Sequence, residues 1–383
     1  MLESDKTDEQ AMAHKNIAII IDSLAGGGAE KVMLTLATEM VSQGHQVTFF
    51  SLKNTTQYVV PSNIGLEFPL ASFNGRVRGW LNREKLAGML QKSVNDVERV
   101  NGTFDLILVN LYESYRLASA CEFKHCYYVI HNSYVQELKR ERRMGPIKYF
   151  YMQRILKTLN GKDLIAVSKG VAKEVSEARL FRATSVRCIY NPFDIKHIRA
   201  LATEAISDVS PNVPESEIPK RFIVHVGRAA KAKRHDILFM ALKHINPEYK
   251  LVCLTSNTKK LKKLAKKYGI EERLVLPGFT ENPYAWMKQA DALVLSSDFE
   301  GLPTVLIESI VCATKVVSTD CPHGPREIMQ GELANFLVRP RSPEALAKAV
   351  NQALKTDILL DEHPILKQVT AKQIATAYLS LAR

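Results

Sequence analysis

The chain has 383 residues, more than one ordinary hydrophobic core accommodates, so its length favours two domains. It has no run of eighteen apolar residues and no apolar segment near its start, so we expect neither a membrane-spanning helix nor a signal peptide, and residues 1–15 are predicted to be a flexible tail. The net charge of +12 indicates a phosphorylated ligand or an anionic membrane. Nucleic acid is not expected, because no zinc finger, RNA-binding aromatic motif or recognition helix is evident.

Short apolar runs alternate with helical patterns along the first half of the chain, as in the β-α-β units that build parallel sheets. A buried strand is predicted at Asn16–Asp22, followed by a glycine-rich loop at Ser23–Ala29 and a helix from Glu30 to Gly44. The later strands of this half are predicted at His45–Leu52, Leu106–Asn110, Cys126–His131, Leu164–Ser168 and Ser185–Tyr190. These elements predict a Rossmann-like domain over residues 16–200.

A second series of strands begins after a segment rich in Pro, Ser and Glu, a composition typical of linkers. Its strands are predicted at Phe222–Gly227, Lys250–Thr255, Arg273–Pro277, Ala292–Ser297, Lys315–Thr319 and Asn335–Val338. We therefore predict a linker at residues 201–220, a second Rossmann-like domain over residues 221–363, and a ligand-binding cleft between the two domains. Residues 364–383 are predicted to form a last helix that crosses back onto the first domain.

Six cysteines are scattered through apolar segments, which indicates reduced thiols of a cytosolic protein rather than a disulfide framework. Cys121, His125 and Cys126 are close in sequence, but their spacing matches no common zinc site and no second ligand pair follows. No metal site is predicted.

The run from Glu300 to Glu308 follows a predicted strand and contains the most informative pair of residues in the sequence. Pro303 suits the first turn of a helix predicted at Thr304–Cys312, whose free N–H groups and positive dipole end favour a diphosphate. The Glu308 carboxylate, just over one turn inside, can accept two hydrogen bonds from a vicinal diol such as a ribose, and Glu300 can hold sugar hydroxyls. The plain alternative is a pair of solvated glutamates.

Two other loops offer groups that suit a phosphorylated ligand. Gly227 ends a predicted strand, and Arg228 and Lys233 after it can hold a diphosphate and stabilise it as a leaving group. The triple glycine in Gly26–Glu30 permits close backbone approach to a ligand, although it matches no dinucleotide or Walker fingerprint. A solvated basic loop and a simple tight turn are the respective alternatives.

Together these motifs resemble those of retaining glycosyltransferase family 4. Members of that family have the GT-B fold, an α/β architecture in which two Rossmann-like domains with parallel sheets face each other across a cleft. The resemblance covers nearly the whole chain, and the motifs occur in the expected order: Gly-Gly-Ala-Glu, His131-Asn132, Ala166-Val-Ser168, Asn191-Pro-Phe-Asp194, Gly-Arg-x4-Lys and Glu-x7-Glu.

The resemblance implies that the second domain holds a nucleotide-sugar, with Glu308 at the ribose, Glu300 at the transferred sugar, and Arg228 and Lys233 at the diphosphate, and that no metal or other cofactor is needed. The first domain would bind the acceptor and place His131 at the reacting centre. The implied catalytic residues are His131, Glu300, Arg228 and Lys233. The implied donor-binding residues are Gly27, Gly28, Arg228, Lys233, Phe279, Glu300, Gly301, Leu302, Thr304, Val305 and Glu308, with Asn132, Ser168 and Asn191 as further candidates.

The segment Thr319–Ile328 resembles the Cys-Pro-x-Gly-Pro-x-Glu loop of family members that extend lipid-linked or lipopolysaccharide glycans. This likeness implies that Arg326 and Glu327 lie near the donor sugar. The alternative is a Pro/Gly loop that braces the cleft. Leu302 departs from the Phe or Tyr of many members, which changes how the sugar packs.

Residues 139–162 mix basic residues with aromatic and aliphatic ones, as do helices that lie on anionic lipid. The alternative is a helix packed on its own domain with a solvated basic face, which is the reading we prefer for the lysine-rich residues 258–267. We expect a cytoplasmic protein that attaches peripherally to the inner face of the cytoplasmic membrane.

The expected reaction moves a hexosyl or N-acetylhexosaminyl group from a nucleoside diphosphate sugar, with UDP as the expected nucleotide, to a lipid-linked or lipopolysaccharide-core glycan with retention of configuration. The alternatives are a UDP-sugar epimerase of similar fold, a non-catalytic two-domain sugar-binding protein and, from charge alone, a nucleic-acid-binding protein.

Overall fold

The computed structural model describes residues 14–25 and 27–383. The predicted tail at residues 1–15 lies outside the described residues except for its last two positions, and so does Gly26. No helix in this part of the chain has both the length and the apolar character that crossing a bilayer requires. All six cysteines are free.

The first domain is built on a parallel sheet. Its strands in chain order are β1 (Asn16–Ile21), β2 (Gln46–Ser51), β3 (Gly65–Glu67), β4 (Leu106–Asn110), β5 (Cys126–Ile130), β6 (Asp163–Ala166) and β7 (Ser185–Cys188). Across the sheet the order is β3-β2-β1-β4-β5-β6-β7. The direction of winding reverses between β1 and β4, and ligands of such sheets bind beyond the carboxyl ends of the strands at this switch point.

The second domain repeats this plan. Its strands are β8 (Phe222–Val226), β9 (Lys250–Leu254), β10 (Leu274–Gly278), β11 (Ala292–Leu295), β12 (Val316–Thr319) and β13 (Leu337–Val338). Their order is β10-β9-β8-β11-β12-β13, with parallel pairing and a switch point between β8 and β11. The two-domain α/β fold predicted from the sequence is confirmed.

Helices cover both faces of the sheets, which is why the central strands are apolar throughout. All six residues of β1, Asn-Ile-Ala-Ile-Ile-Ile, are buried. The helices of the first half are α1 (Gly28–Ser42), α2 (Arg83–Asn101), α3 (Tyr112–Ala118), α4 (Tyr134–Met144), α5 (Pro146–Lys157), α6 (Lys169–Ser176), α7 (Ile195–Leu201) and α8 (Ile206–Val209).

The second half contains eight further α-helices among the described residues. They are α9 (His235–Leu242), α10 (Thr258–Tyr268), α11 (Tyr284–Gln289), α12 (Thr304–Val311), α13 (Pro325–Ile328), α14 (Pro343–Ala353), α15 (Pro364–Gln368) and α16 (Ala371–Leu379). Short 3₁₀ turns lie at Glu215–Glu217, Lys231–Lys233, Glu271–Arg273 and Gly331–Phe336.

The predicted last helix is two helices, α15 and α16, rather than one. The break lets the backbone at Val369 and Ala371 pair with Phe193, whose N–H donates to Val369 and whose carbonyl accepts from Ala371. The side chain of Thr370 caps α16 by accepting from the N–H of Gln373. Helix α16 then packs against α1 of the first domain.

Residues 201–220, predicted as a linker, lie against the second domain. Ile206 and Val213 are buried in its core, and the indole N–H of Trp286 donates to Ser210 Oγ at 2.9 Å. A composition rich in Pro and Ser therefore marks an irregular segment here, but one that is packed.

Candidate functional site

The predicted site residues gather at the two switch points. In the first domain, the glycine-rich loop connects β1 to α1, and His131 directly follows β5. In the second domain, Lys233 lies in the loop after β8 and Glu300 in the loop after β11. The two domains touch directly, because a Cβ placed on Gly301 would lie only 1.9 Å from the carbonyl oxygen of His131. The two domains are therefore in contact at the cleft, where the predicted site residues lie.

Glu300 and Lys233 form an ion pair inside the second domain. Lys233 Nζ lies 2.7 Å from Glu300 Oε1, and Ser297 Oγ donates to the same oxygen at 2.5 Å. The Glu300 side chain is only 11% exposed, so these two donors replace most of its contact with water. The backbone N–H of Glu300 donates to the carbonyl of Pro322, which fixes the loop.

Glu308 lies on the buried side of α12, with its side chain 8% exposed. Its Oε1 accepts from Lys31 Nζ at 3.0 Å and from the Tyr284 hydroxyl at 3.2 Å. The Lys31 ammonium also donates to Tyr284 and lies 4.6 Å from the centre of its ring. Lys31 belongs to α1, so this contact joins the two domains.

Sequence reasoning missed Lys31 and Tyr284. One signal was present for Lys31, which lies in the first turn of α1, where the helix dipole disfavours a cation. A lysine at that position suggests an anionic partner elsewhere, but nothing in the sequence identifies Glu308 as that partner.

The start of α12 offers backbone donors to a ligand. Its N-cap is Pro303, and no described side chain caps the helix there. Thr304 and Val305, the first two residues of the helix, are half-buried. Leu302 is 6% exposed and packs in the core, so its side chain does not line a sugar pocket and only its backbone can contact a ligand.

Arg228 is exposed at the cleft edge of β8. Burial raises the pKa of Glu30 and of Glu137, both in the first domain, and the positive charge of Arg228 opposes each shift. The arginine therefore lies within electrostatic range of carboxylates across the cleft. Arg234, which the sequence did not single out, braces the same loop by binding Asp298 at 3.1 Å.

His131 is held by Asn110. The Asn110 amide nitrogen donates to the backbone carbonyl of Leu108 at 3.1 Å, so its Oδ1 faces the imidazole, 2.9 Å from Nε2. Nε2 is therefore the protonated nitrogen, and Nδ1 is left as an acceptor. Burial lowers the pKa of His131 to about 4, so the ring is neutral at pH 7.

The glycine-rich loop differs from the expectation of an open backbone. A Cβ on Gly27 would lie 2.2 Å from the Glu30 carboxylate, which folds back over the start of α1 as the acidic residue of a capping box does. The Tyr58 hydroxyl donates to the carbonyl of Gly27 at 3.2 Å. A diphosphate can approach Gly27 only if Glu30 moves, whereas no heavy atom lies within 4 Å of the Cβ position at Gly28.

The loop at residues 319–328 braces the domains in this structure. Glu327 accepts from the backbone N–H groups of Lys169 and Gly170, each at 2.8 Å, and thereby caps α6 across the cleft. Arg326 binds Asp320 and is 78% exposed. This geometry matches the bracing alternative for the loop.

A histidine of the same loop adds a second contact to the first domain. His323 Nε2 lies 2.9 Å from Glu174 Oε2, and Glu174 in turn accepts from Ser133 Oγ at 2.6 Å. The loop is therefore bound to α6, and Glu174 in turn links α6 to the start of α4.

The remaining candidates have mixed surroundings. Ser168 is fully buried and caps α6 by accepting from the N–H of Val171, which is a structural role. Asn191 is buried, and its Oδ1 has no hydrogen-bond partner among the described residues. Asn132 is half-buried beside Gly301. Phe279 follows β10 and is 63% exposed at the ligand edge of the sheet.

The described residues include no cluster of three or more His, Cys, Asp or Glu that could hold a metal ion.

Two family models match the chain. The model of glycosyltransferase family 4 matches residues 26–197, and the model of group 1 glycosyl transferases matches residues 209–366. Together they cover most of both domains.

Curated relatives are similar over part of their length. An N-acetylgalactosamine-N,N'-diacetylbacillosaminyl-diphospho-undecaprenol 4-alpha-N-acetylgalactosaminyltransferase of Campylobacter jejuni is 29% identical over 222 residues, which are 55% of this chain and 58% of that relative. The lipopolysaccharide 1,6-galactosyltransferase of Salmonella typhimurium is 28% identical over 202 residues, 51% of this chain and 53% of the relative. The chain thus matches a little over half the length of these relatives.

Solved structures match the fold over nearly the whole chain. Anabaena HepE in complex with UDP and glucose aligns with a TM-score of 0.67 at 21% identity, covering 96% of this chain and 97% of that one. The lipopolysaccharide outer core galactosyltransferase WaaB aligns with a TM-score of 0.64 at 20% identity, covering 96% and 98%. The paired sheets and these neighbours show the GT-B fold. The two family models, which match residues 26–197 and 209–366, show that the chain belongs to the glycosyltransferases, with a family 4 first domain and a group 1 second domain.

Proposed function

We propose that this protein transfers a hexosyl or N-acetylhexosaminyl group from a nucleoside diphosphate sugar, with UDP as the nucleotide, to a lipid-linked or lipopolysaccharide glycan. The observation that carries the proposal is the meeting of Glu300 and Lys233 of one domain with His131 of the other, beside Glu308 and the uncapped start of α12. Glu300 and His131 suit a sugar, Lys233 and the start of α12 suit a diphosphate, and Glu308 suits a ribose.

The second domain supplies the groups that bind the donor. The buried carboxylate of Glu308 accepts hydrogen bonds from the ribose diol, and the exposed ring of Phe279 is available to stack on the base. The diphosphate receives charge-assisted hydrogen bonds from Lys233 and Arg228 and N–H groups from the start of α12. These cations stabilise the departing diphosphate, so we propose a reaction that needs no metal, which turnover in EDTA tests.

His131 orients the transferred sugar. Because its pKa is about 4, it is neutral at pH 7 and does not act as a general acid there. Its Nδ1 accepts a hydrogen bond from a sugar hydroxyl. Glu300 is held by Lys233 and Ser297, an arrangement that suits a positioning role better than nucleophilic attack.

We propose retention by attack on the same face. The acceptor hydroxyl bonds to the anomeric carbon as the bond to the diphosphate breaks, and the departing phosphate oxygen takes the hydroxyl proton. The protein places the reactants and stabilises charge, and the closed cleft excludes water.

The acceptor class is inferred from the relatives. One named relative acts on a diphospho-undecaprenol glycan and another on lipopolysaccharide, and the likeness extends over about half of each. A glycan attached to lipid lies at a membrane, so a surface that binds lipid supports this choice.

The first domain offers a candidate for such a surface on α5 and the loop before α2. Ile147, Phe150 and Arg154 share one stripe of α5, and the first two side chains are 84% and 65% exposed. The Arg154 guanidinium lies 4.1 Å from the ring centre of Trp80, next to Leu81, which is 98% exposed. Exposed bases surround these apolar side chains: Lys139, Arg142, Arg143, Lys148 and Lys157. We propose that this face binds the anionic inner leaflet of the cytoplasmic membrane.

Liposome flotation tests the membrane proposal. The wild-type protein is expected to float with vesicles that contain phosphatidylglycerol and to stay behind with phosphatidylcholine alone. The double variant Ile147→Glu/Phe150→Glu should lose flotation, whereas Leu359→Glu, at a leucine that is 76% exposed in the second domain, should keep it. Equal flotation of all three proteins would refute the proposed surface.

A nucleotide screen followed by product analysis tests the enzymatic proposal. We expect UDP, among UDP, GDP and ADP, to raise the melting temperature most. Glu308→Ala and Lys233→Ala should fold yet lose most transfer, while Lys262→Ala, at an exposed lysine of α10, should not. Conversion of the donor to its epimer without acceptor would favour the epimerase, and binding without turnover would favour a sugar-binding protein. The product's anomeric configuration, read by NMR, tests retention.

A further inference from the structure

Lys31 reaches from the first domain to the carboxylate proposed to bind the ribose. It lies in the first turn of α1, and its ammonium contacts both Glu308 and Tyr284 of the second domain. The three groups form one compact set, since the Tyr284 hydroxyl also donates to Glu308. Lys31 therefore contacts the donor site from the opposite side of the cleft.

Lys31 and Tyr284 together occupy both lone pairs of one oxygen of the Glu308 carboxylate. Lys31 and Tyr284 both donate to Glu308 Oε1, at 3.0 and 3.2 Å, and a carboxylate oxygen has two lone pairs. A vicinal diol that binds a carboxylate in the bidentate manner needs a lone pair on each oxygen. One of the two present donors must therefore leave Oε1 when a ribose binds.

Lys31 is the donor that can leave. Tyr284 is 3% exposed, belongs to the same domain as Glu308 and is fixed in the core. The Lys31 side chain is 38% exposed and has a flexible stem of four methylene groups. It contacts the donor site only from across the cleft. An ammonium that leaves this site regains its hydration, whereas a buried tyrosine hydroxyl would not.

We propose that Lys31 is an internal competitor for the ribose: it occupies Glu308 in the unliganded protein, ties the two domains together there, and is displaced by the 2′,3′-diol of the nucleotide. The proposal rests on the function proposed above, because it takes Glu308 as the ribose group. It predicts that the free energy of nucleotide binding is less favourable than that of a site without Lys31. The difference is the free energy of the contact between Lys31 and Glu308.

Isothermal titration of the full-length protein with UDP tests the competition. Lys31→Met removes the ammonium and should bind UDP about two- to five-fold more tightly than the wild type, a range that corresponds to the loss of one partly exposed ion pair. Lys31→Arg keeps the charge and should bind like the wild type or more weakly. Lys262→Met, on the exposed face of α10, changes the net charge equally and should leave UDP affinity unchanged.

A nucleotide that lacks the 2′,3′-diol tests whether the gain in affinity arises at Glu308. The gain in Lys31→Met should vanish with 2′,3′-dideoxyuridine diphosphate, because that ligand does not compete for Glu308. Weaker UDP binding in Lys31→Met would overturn the proposal by showing that Lys31 holds the ligand, and so would an equal gain with both ligands. If the wild type binds no nucleoside diphosphate at all, the proposed function fails; if it binds UDP and Lys31→Met binds no more tightly, only the competition fails.

Discussion

Replacing Gly301 by alanine tests whether the closed arrangement of the two domains is the active one. A Cβ at this position would lie 1.9 Å from the carbonyl oxygen of His131 and 3.1 Å from the Cα of Asn132, both in the other domain. Gly301 is not among the described glycines with positive φ, so alanine introduces no backbone strain there. The change therefore acts through the contact between domains.

The size of the effect follows from the geometry. Real Cβ contacts essentially never fall below 3.0 Å, so the facing backbone must recede by about 1.1 Å. The obstacle is a backbone carbonyl, which has no alternative rotamer, so the domains must separate locally. A displacement of about 1 Å at the reacting centre costs on the order of 100-fold in rate, and this is the loss of transfer that we expect.

The assay compares turnover with nucleotide affinity. Most of the proposed UDP contacts lie in the second domain, so UDP affinity should stay within about three-fold of the wild type while turnover falls about 100-fold. The matched control is Gly88→Ala on α2, where a Cβ meets no heavy atom within 4 Å and alanine should stabilise the helix by about 0.5–1 kcal/mol. Near-normal turnover of Gly301→Ala would refute the closed arrangement as the active one, and a parallel loss of UDP affinity would place the damage inside the donor domain.

Three further predictions concern the histidines and the lipid surface. Asn110→Ala removes the acceptor that fixes the tautomer of His131, so transfer should fall about ten-fold or more at unchanged UDP affinity, measured by steady-state kinetics and titration. Burial lowers the pKa of His225 to about 4 and that of His235 further, so the unfolded chain takes up protons below about pH 6.5 that the folded chain does not, and stability falls with acid by up to ~1.4 kcal/mol per pH unit per histidine. His235→Phe should therefore reduce the drop in melting temperature between pH 7 and pH 5, and His197→Gln, at an exposed site, should not. Flotation with anionic vesicles should weaken as salt rises from about 50 to about 500 mM, because the attraction to the basic residues is screened.

The sequence predicts the fold well because alternating apolar runs and helical patterns depend on local spacing. The short edge strand β3 escaped prediction, since its three residues, Gly65–Glu67, are not fully buried and have no apolar run. The break between α15 and α16 escaped as well. It depends on pairing with Phe193, which lies about 180 residues earlier in the chain.

In the candidate site too, local sequence predicts the position of some residues, whereas contacts between distant residues were not predicted. Placement after a strand and at the start of a helix brings Glu300, Glu308 and Lys233 to one cleft, as the sequence predicts. The partner of each charge depends on contacts distant in sequence, such as the pairing of Lys31 with a carboxylate 277 residues away. For the same reason, the sequence does not reveal that Glu327 caps a helix of the other domain.

The packing of α16 on α1 has a consequence for how the protein is made. The buried face of α1 consists of apolar side chains: Val32, Met33, Leu36, Ala37 and Met40. During translation this face emerges with the first domain, but α16 follows the end of β7 by about 190 residues. At about 5–20 residues per second, α1 lacks its contact with α16 for roughly 10–40 s. We therefore expect the nascent first domain to bind chaperones, and messages truncated before α16 should yield a product that aggregates.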